Sequence, residues 1–216
     1  MKTSFGFIAV LTLAALSAFA QDPKPYQIST IFRRGQHPNT SAYVALNNKF
    51  TTLAGKHANI VEIYGGLYQN HRLLIGLEAA ALTNEMVVPY PYWTADLPDA
   101  RYYYGQFGVM TEYIFGSGRA VHMGVQMLGG YGFTLMYSDA TTTFEDYWND
   151  APEYDDDQNW FPLIEPGVRL EVNVFRWLRI SPGISYRISF GGEGRGMSDK
   201  EVRGASFNTT LKIGRF

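Results

Sequence analysis

Residues 178–190 read LRISPGISYRISF. Leu178, Ile180, Pro182, Ile184, Tyr186, Ile188 and Phe190 fall on one side of an extended chain, and Arg179, Ser181, Gly183, Ser185, Arg187 and Ser189 on the other. Successive side chains of a strand point to opposite faces, so unbroken period-two alternation is the signature of a strand with one apolar and one polar face. Residues 121–137 repeat the pattern: Val121, Met123, Val125, Met127, Tyr131, Phe133, Leu135 and Tyr137 oppose His122, Gly124, Gln126, Gly130, Gly132 and Thr134. Residues 164–174 do so again, with Val168, Leu170, Val172 and Val174 opposite Glu165, Arg169, Glu171 and Asn173.

Working outward, eight such segments emerge, at about 40–51, 59–68, 72–83, 101–115, 119–137, 161–174, 177–190 and 204–216. Three connections are tight: 69–71, 116–118 and 175–176. Three are long and polar, at 84–100, 138–160 and 191–203. Alternating short and long connections, an even strand count and strands long enough to cross a bilayer describe an all-β, antiparallel up-and-down transmembrane β-barrel of eight strands in the bacterial outer membrane. The tight turns then face the periplasm and the long loops face outward. A soluble β-sandwich would also alternate, but its strands are usually shorter. Aromatic residues gather near the strand ends. Tyr90, Tyr92, Trp93, Tyr102, Tyr103, Tyr104, Trp160 and Phe161 are expected as an outer girdle, and Phe115, Phe175 and Trp177 as an inner one.

Composition agrees. The chain has 216 residues, no cysteine, 15% aromatic and 18% charged residues, against about 25% charged in soluble domains. Zero cysteine excludes disulfide scaffolds and thiolate chemistry, and a formal charge of −2 speaks against nucleic-acid binding. Residues 1–20 combine Lys2, a short apolar run and an Ala18-Phe19-Ala20 cleavage pattern, and read as an export signal. Residues 21–39 are left as an N-terminal segment and 40–216 as the barrel.

The alternation turns Lys49, Glu62, Glu78, Glu112, Glu165, Arg169, Glu171, Arg179, Arg187 and Lys212 inward. Five acids and five bases suit a cross-barrel network that plugs the lumen, because unpaired buried ions are costly. In this reading Arg187 neutralises an inward carboxylate. The alternative is a narrow polar conduit lined by the same charges. Inward glycines at 66, 76, 108, 124, 130 and 132 are expected to make room for long neighbours such as Tyr64, Tyr68 and Arg187.

Catalytic motifs are missing. His37, His57, His71 and His122 show no zinc spacing, and His57 is placed in a short outer loop. No nucleophile elbow occurs. The glycine-rich 191–196 lacks a phosphate-loop Lys-Ser/Thr and reads as a flexible loop. Neither a cofactor nor a resident metal is expected. Glu153, Asp155, Asp156 and Asp157, in an acidic loop interleaved with Tyr147, Trp148 and Tyr154, are weak hard-cation candidates. The aromatics there could instead meet a glycan or an envelope protein. The role expected is structural or surface-binding, by a monomer in contact with outer-membrane lipid and lipopolysaccharide. The terminal Phe216 would serve recognition by the barrel-assembly machinery. The alternative role is a narrow channel or an accessory subunit of a transport or secretion complex.

The stretches NKFTTLAGK (48–56), GGLYQNHRLLIG (65–76) and LTN (82–84) resemble a group of small outer-membrane barrels of Bacteroidota, built like the eight-stranded OmpA and OmpX barrels. The group carries a Lys-Phe-Thr strand end, a Gly-Gly-Trp-hydrophobic-x-Asn-His turn and a closing Gly-Leu-x-Asn. This chain departs at Leu67, where Trp is common, and at 77–81, where the group is glycine-rich. The resemblance covers about 40 residues. It implies fold and location, and it carries over neither an activity nor a catalytic residue.

Overall fold

The computed structural model describes residues 40–69, 72–92, 100–117, 119–137 and 158–214. In chain order these form β1 (Thr40–Leu53), β2 (Lys56–Gln69), β3 (Leu73–Leu82), the short β4 (Met86–Val87), β5 (Arg101–Phe115), β6 (Val121–Tyr137), β7 (Gln158–Phe175), β8 (Leu178–Ser189), the short β9 (Glu193–Gly194) and β10 (Met197–Ser198), a one-turn helix α1 (Asp199–Val202), and β11 (Gly204–Gly214). The eight long strands are antiparallel to both neighbours. β1 pairs with β11, and β3 with β5 across the gap left by β4, so the sheet closes on itself. Closure removes every open edge, which a lipid-embedded sheet cannot keep.

The wall follows the alternation read from the sequence. On β8, Arg179, Ser181, Ser185, Arg187 and Ser189 are buried, while Ile180, Ile184 and Tyr186 are exposed. The outer surface is a continuous apolar belt, the reverse of a soluble domain. The end carrying the long connections is called the loop end, and the opposite one the turn end.

Four features depart from the sequence expectations. First, Ala54 and Gly55 both take left-handed φ, 49° and 71°, and close a two-residue hairpin, the primed geometry that matches strand twist. β2 therefore starts at Lys56, and His57 is a strand residue stacked over Phe50 at 6.3 Å rather than a loop residue. Second, Tyr102, Tyr104 and Phe161 are buried inside the barrel, not in the girdle, because they share the inward parity of Gln106 and Glu165. The girdle at that level is made by Tyr103, Phe133, Trp160, Phe107 and Tyr131, with the Phe133 and Trp160 rings 4.9 Å apart. Trp93 lies outside the described residues.

Third, the glycines do less to make room for side chains than to let strands approach. Gly66 faces Gly76, and Gly108 faces Gly130. A Cβ on any of the four would strike the partner strand's backbone. Of the six glycines expected to make room, only at Gly124 and Gly132 would a Cβ meet side chains first, those of Glu112 and Arg169 or of Phe161 and Leu163. Fourth, 191–203 is ordered into the β9–β10 ribbon and α1 rather than being a flexible loop. Asp199 accepts from the Gly191 and Gly192 amides at 2.8 and 3.0 Å, and Ala54 N donates to Glu201 O at 2.9 Å. Desolvation raises the Asp199 pKa, but the Gly192 amide leads the bonds that outweigh it and hold the carboxyl below its ordinary range. Met197 and Val202 are thereby pressed into an apolar cluster with Leu53, Ile60, Met86 and Tyr104 at the loop end.

One seam of the wall is short of backbone donors. All three prolines found in strands, Pro162, Pro166 and Pro182, lie on β7 and β8. Phe190 N donates to Pro162 O at 3.0 Å, so residues of this parity on β7 turn their backbone groups toward β8. Each proline withholds the donor its position would give to that seam. The ladder is regular at Val168↔Ile184 and lapses where Pro166 meets Tyr186 and where Pro182 meets Leu170.

Candidate functional site

The lumen carries the chemistry of this chain. Strand parity aims ten charged side chains into it, all at most 4% exposed. Below the apolar cluster of the loop end, Lys49 is central to an outer group. Its ammonium meets Glu62, Glu165 at 2.9 Å and Glu78 at 3.6 Å. Gln106 Nε2 donates to Glu78 at 2.9 Å and to Glu165 at 3.2 Å, and Tyr104 donates to Gln106 at 2.6 Å. Ser185 donates to Glu165 at 2.6 Å, and Asn47 to Glu62 at 3.2 Å. Three carboxylates thus share one ammonium, and Asn47, Gln106 and Ser185 donate to them as neutral partners.

Toward the turn end, a second group is centred on Lys212. It joins Glu112, at 2.5 Å, to Glu171. Arg179 reaches Glu171 at 3.2 Å, and His122 Nε2 lies 2.9 Å from the same carboxylate while its Nδ1 faces Arg119 O at 3.1 Å. Arg169 stands 3.8 Å from Glu112 and donates to the Tyr64 hydroxyl. Tyr43 and Tyr68 donate to Glu112 at 3.2 and 3.5 Å. Lys212 and Arg169 also lie over the Tyr43 and Tyr64 rings, 5.3 and 5.4 Å from their centroids. Every carboxylate has a cation beside it, and Glu62, Glu78, Glu165 and Glu112 also accept from neutral donors, which favours tolerable burial of ions.

Of the sequence-derived site residues, Lys49, Glu62, Glu78 and Glu165 meet in the outer group, and Glu112, Arg169, Glu171, Arg179 and Lys212 in the inner one. Arg187 joins neither by an ion pair among the described residues. Its Nε donates to Val202 O at 2.9 Å, and its guanidinium lies 4.9 Å over the Tyr104 ring. Its charge still acts on the inward carboxylate of Glu165, but through space rather than by direct contact, and its direct contacts are a loop carbonyl and an aromatic face. Glu153, Asp155, Asp156 and Asp157 lie outside the described residues. Among the described residues, no group of three His, Asp or Glu side chains is arranged to hold a metal. Tyr43, Gln106 and Asn47 join the network without having been expected in it. Their inward parity is the signal that could have found them, but charge alone selects only the ionised members of that face.

Several buried atoms of the lumen lack a hydrogen-bond partner among the described residues, among them Gln126 Oε1, Ser206 Oγ, Asn208 Oδ1 and Arg169 Nε. Polar atoms of this kind are where a protein interior holds water.

No family model and no curated protein matches the chain. Among solved structures, it is similar to Neisserial surface protein A, with a TM-score of 0.56 and 8% identity over 81% of this chain and 96% of that one. It is similar also to the N-terminal β-barrel domain of Pseudomonas aeruginosa OprF, with a TM-score of 0.50 and 9% identity over 83% and 99%. At these identities the likeness is one of fold: the chain folds as an eight-stranded outer-membrane β-barrel.

Proposed function

We propose that this chain is an exported outer-membrane barrel whose lumen is closed and whose role is structural or surface-binding at the loop end, without catalysis. The carrying observation is the pair of charge groups centred on Lys49 and Lys212, stacked beneath an apolar cluster. An ion entering this lumen would have to break pairs already made. In this reading residues 1–20 direct export, the apolar belt meets lipid and lipopolysaccharide, Phe216 serves assembly, and the acidic loop 138–157 meets cations, a glycan or an envelope protein.

A second reading, a narrow conduit, is favoured by the Gln126, Ser206, Asn208 and Arg169 atoms without a partner among the described residues, which would hold water in the lumen. Gel mobility of the folded protein in detergent, unboiled against boiled, combined with planar-bilayer conductance, separates the readings. The closed barrel gives a heat-modifiable band and no steady current. Discrete current steps would replace it with the conduit. A band that heating leaves unmoved would replace both with a soluble β-sandwich.

A further inference from the structure

We infer that the turn end is a binding surface for anionic phospholipid headgroups, gripped by Arg72, Arg119 and Arg176. The inference rests on the reading of the chain as an outer-membrane barrel and adds a ligand class to it.

Charge is sorted along the barrel axis. The connections and strand ends at the loop end carry fourteen Asp and Glu residues against Lys56, Arg101, Arg195, Lys200 and Arg203. The lumen balances five acids with five bases. The three connections at the turn end, 70–72, 116–120 and 176–177, hold one arginine each and no Asp or Glu. Arg72, Arg119 and Arg176 are all exposed. The nearest acids, Glu112 and Glu171, are buried and engaged by Lys212. Strand order places the three turns side by side, because β3 pairs with β5 and β6 with β7. The arginines therefore follow one another around the mouth, and Arg215 follows β11 in the sequence.

Height in the membrane is set by their neighbours. Arg176 sits between Phe175 and Trp177, whose rings stack at 5.6 Å and are more than half exposed. Arg119 closes the turn after Phe115, which packs edge-on against Tyr113 at 4.9 Å. Such rings settle at the headgroup layer, so the guanidinium groups beside them meet phosphates. A guanidinium binds phosphate through paired N–H donors. The chain's own residues 21–39 are no complement, since they carry Lys24, Arg33 and Arg34 against Asp22. The apolar girdle continuous with the ring selects a lipid over a soluble polyanion.

The test uses the full chain folded in micelles that mix phosphatidylcholine with phosphatidylglycerol, and counts retained lipids by native mass spectrometry. The wild type retains phosphatidylglycerol preferentially, by roughly fivefold for each arginine engaged, from about 1 kcal/mol per cation near an anionic surface. The preference falls as salt rises. It disappears in the triple variant R72Q/R119Q/R176Q and survives in the loop-end variant K200Q/R203Q. Equal retention of both lipids by the wild type, or a preference kept by the triple variant, overturns the inference. Should the triple variant lose the heat-modifiable band, R176Q alone is measured under the same criterion. Failure of the barrel reading shows separately, as an unmoved wild-type band.

Discussion

The side chain of Arg187 ties the barrel wall to its lid: its Nε donates to the carbonyl of Val202, 2.9 Å away and fifteen residues on, while Tyr104 carries the guanidinium on its face. The Nη1 and Nη2 atoms find no acceptor among the described residues. Arg187→Leu should therefore release the lid more than it weakens the wall. The substitution removes a charged hydrogen bond, worth about 1.5–3 kcal/mol, and a cation–π interaction of about 2 kcal/mol when desolvated. It also removes two buried, unsatisfied guanidinium nitrogens, which offsets part of that. Trypsin should cut the variant at Lys200 or Arg203 while its folded band persists. Unchanged cleavage would show that α1 is held by other interactions.

Lys212 differs, because it serves two carboxylates at once. Lys212→Met keeps similar volume but leaves Glu112 with the more distant Arg169, and Glu171 with Arg179 and His122. Breaking a buried pair typically costs about 3–5 kcal/mol. Urea titration in detergent should show a loss of that order. Adding Glu112→Gln should recover part of it, since the double change removes the uncompensated charge. Two losses that simply add would mean that Lys212 and Glu112 are not coupled.

The inward charges are legible in the sequence because a charge on the lipid face is prohibitive, so parity and polarity carry the same message. Parity also holds the answer for Tyr102, Tyr104 and Phe161. Aromatic residues suit both lipid and lumen, however, and position along the strand points to the girdle instead. Arg187 is illegible for another reason. Its direct contacts, Val202 and Tyr104, belong to a one-turn helix fifteen residues on and to a strand elsewhere in the barrel, and local pattern contains neither. The lid itself rests on Asp199 caging two glycine amides, an arrangement set by tertiary contact. Alternation turns the paired glycines inward, but facing Gly66 with Gly76 requires the strand register, which alternation leaves open.

Glycine register gives a matched pair of variants. Gly108→Ala places a methyl against the backbone of Gly129 and Gly130, which cannot yield without opening the β5–β6 ladder. Overpacking of that kind typically costs about 1–3 kcal/mol. Gly129 is next in line, points outward, and has nothing within 4 Å of an added Cβ. Gly129→Ala should be neutral or stabilise by about 0.4–1 kcal/mol by narrowing the unfolded ensemble. Thermal unfolding of both in one detergent checks the contrast, and equal shifts would contradict the close approach.

Acid should act on the lid before the wall. The Asp199 carboxyl is held below its ordinary range. Its contribution is therefore complete above the unfolded-state value, about 3.9, and drains away as pH falls through the lower folded value. Between pH 7 and pH 5 tryptic cleavage at Lys200 and Arg203, corrected for protease activity, should stay constant. After a brief pulse near pH 3, probed with an acid-active protease, 191–203 should open while the heat-modifiable band remains. Opening already at pH 5 would assign the lid to another group.

Pro166 and Pro182 mark where the wall should breathe. They withhold donors from Tyr186 O and Leu170 O on the same seam, and the ladder lapses at both pairs. An apolar groove crosses the outer face there, lined among others by Pro166, Val168, Ile184 and Tyr186. A carbonyl without its partner in lipid is costly, so this seam has the least to lose by opening. Amide exchange should therefore be faster for Leu170 and Tyr186 than for Val168 and Ile184 between them. Pro166→Val and Pro182→Val should each restore a donor and slow that exchange, with a gain of about 1 kcal/mol for a hydrogen bond. Uniform protection along β7 and β8, or prolines whose replacement destabilises the barrel, would mean that the seam is closed by packing and owes nothing to its missing donors.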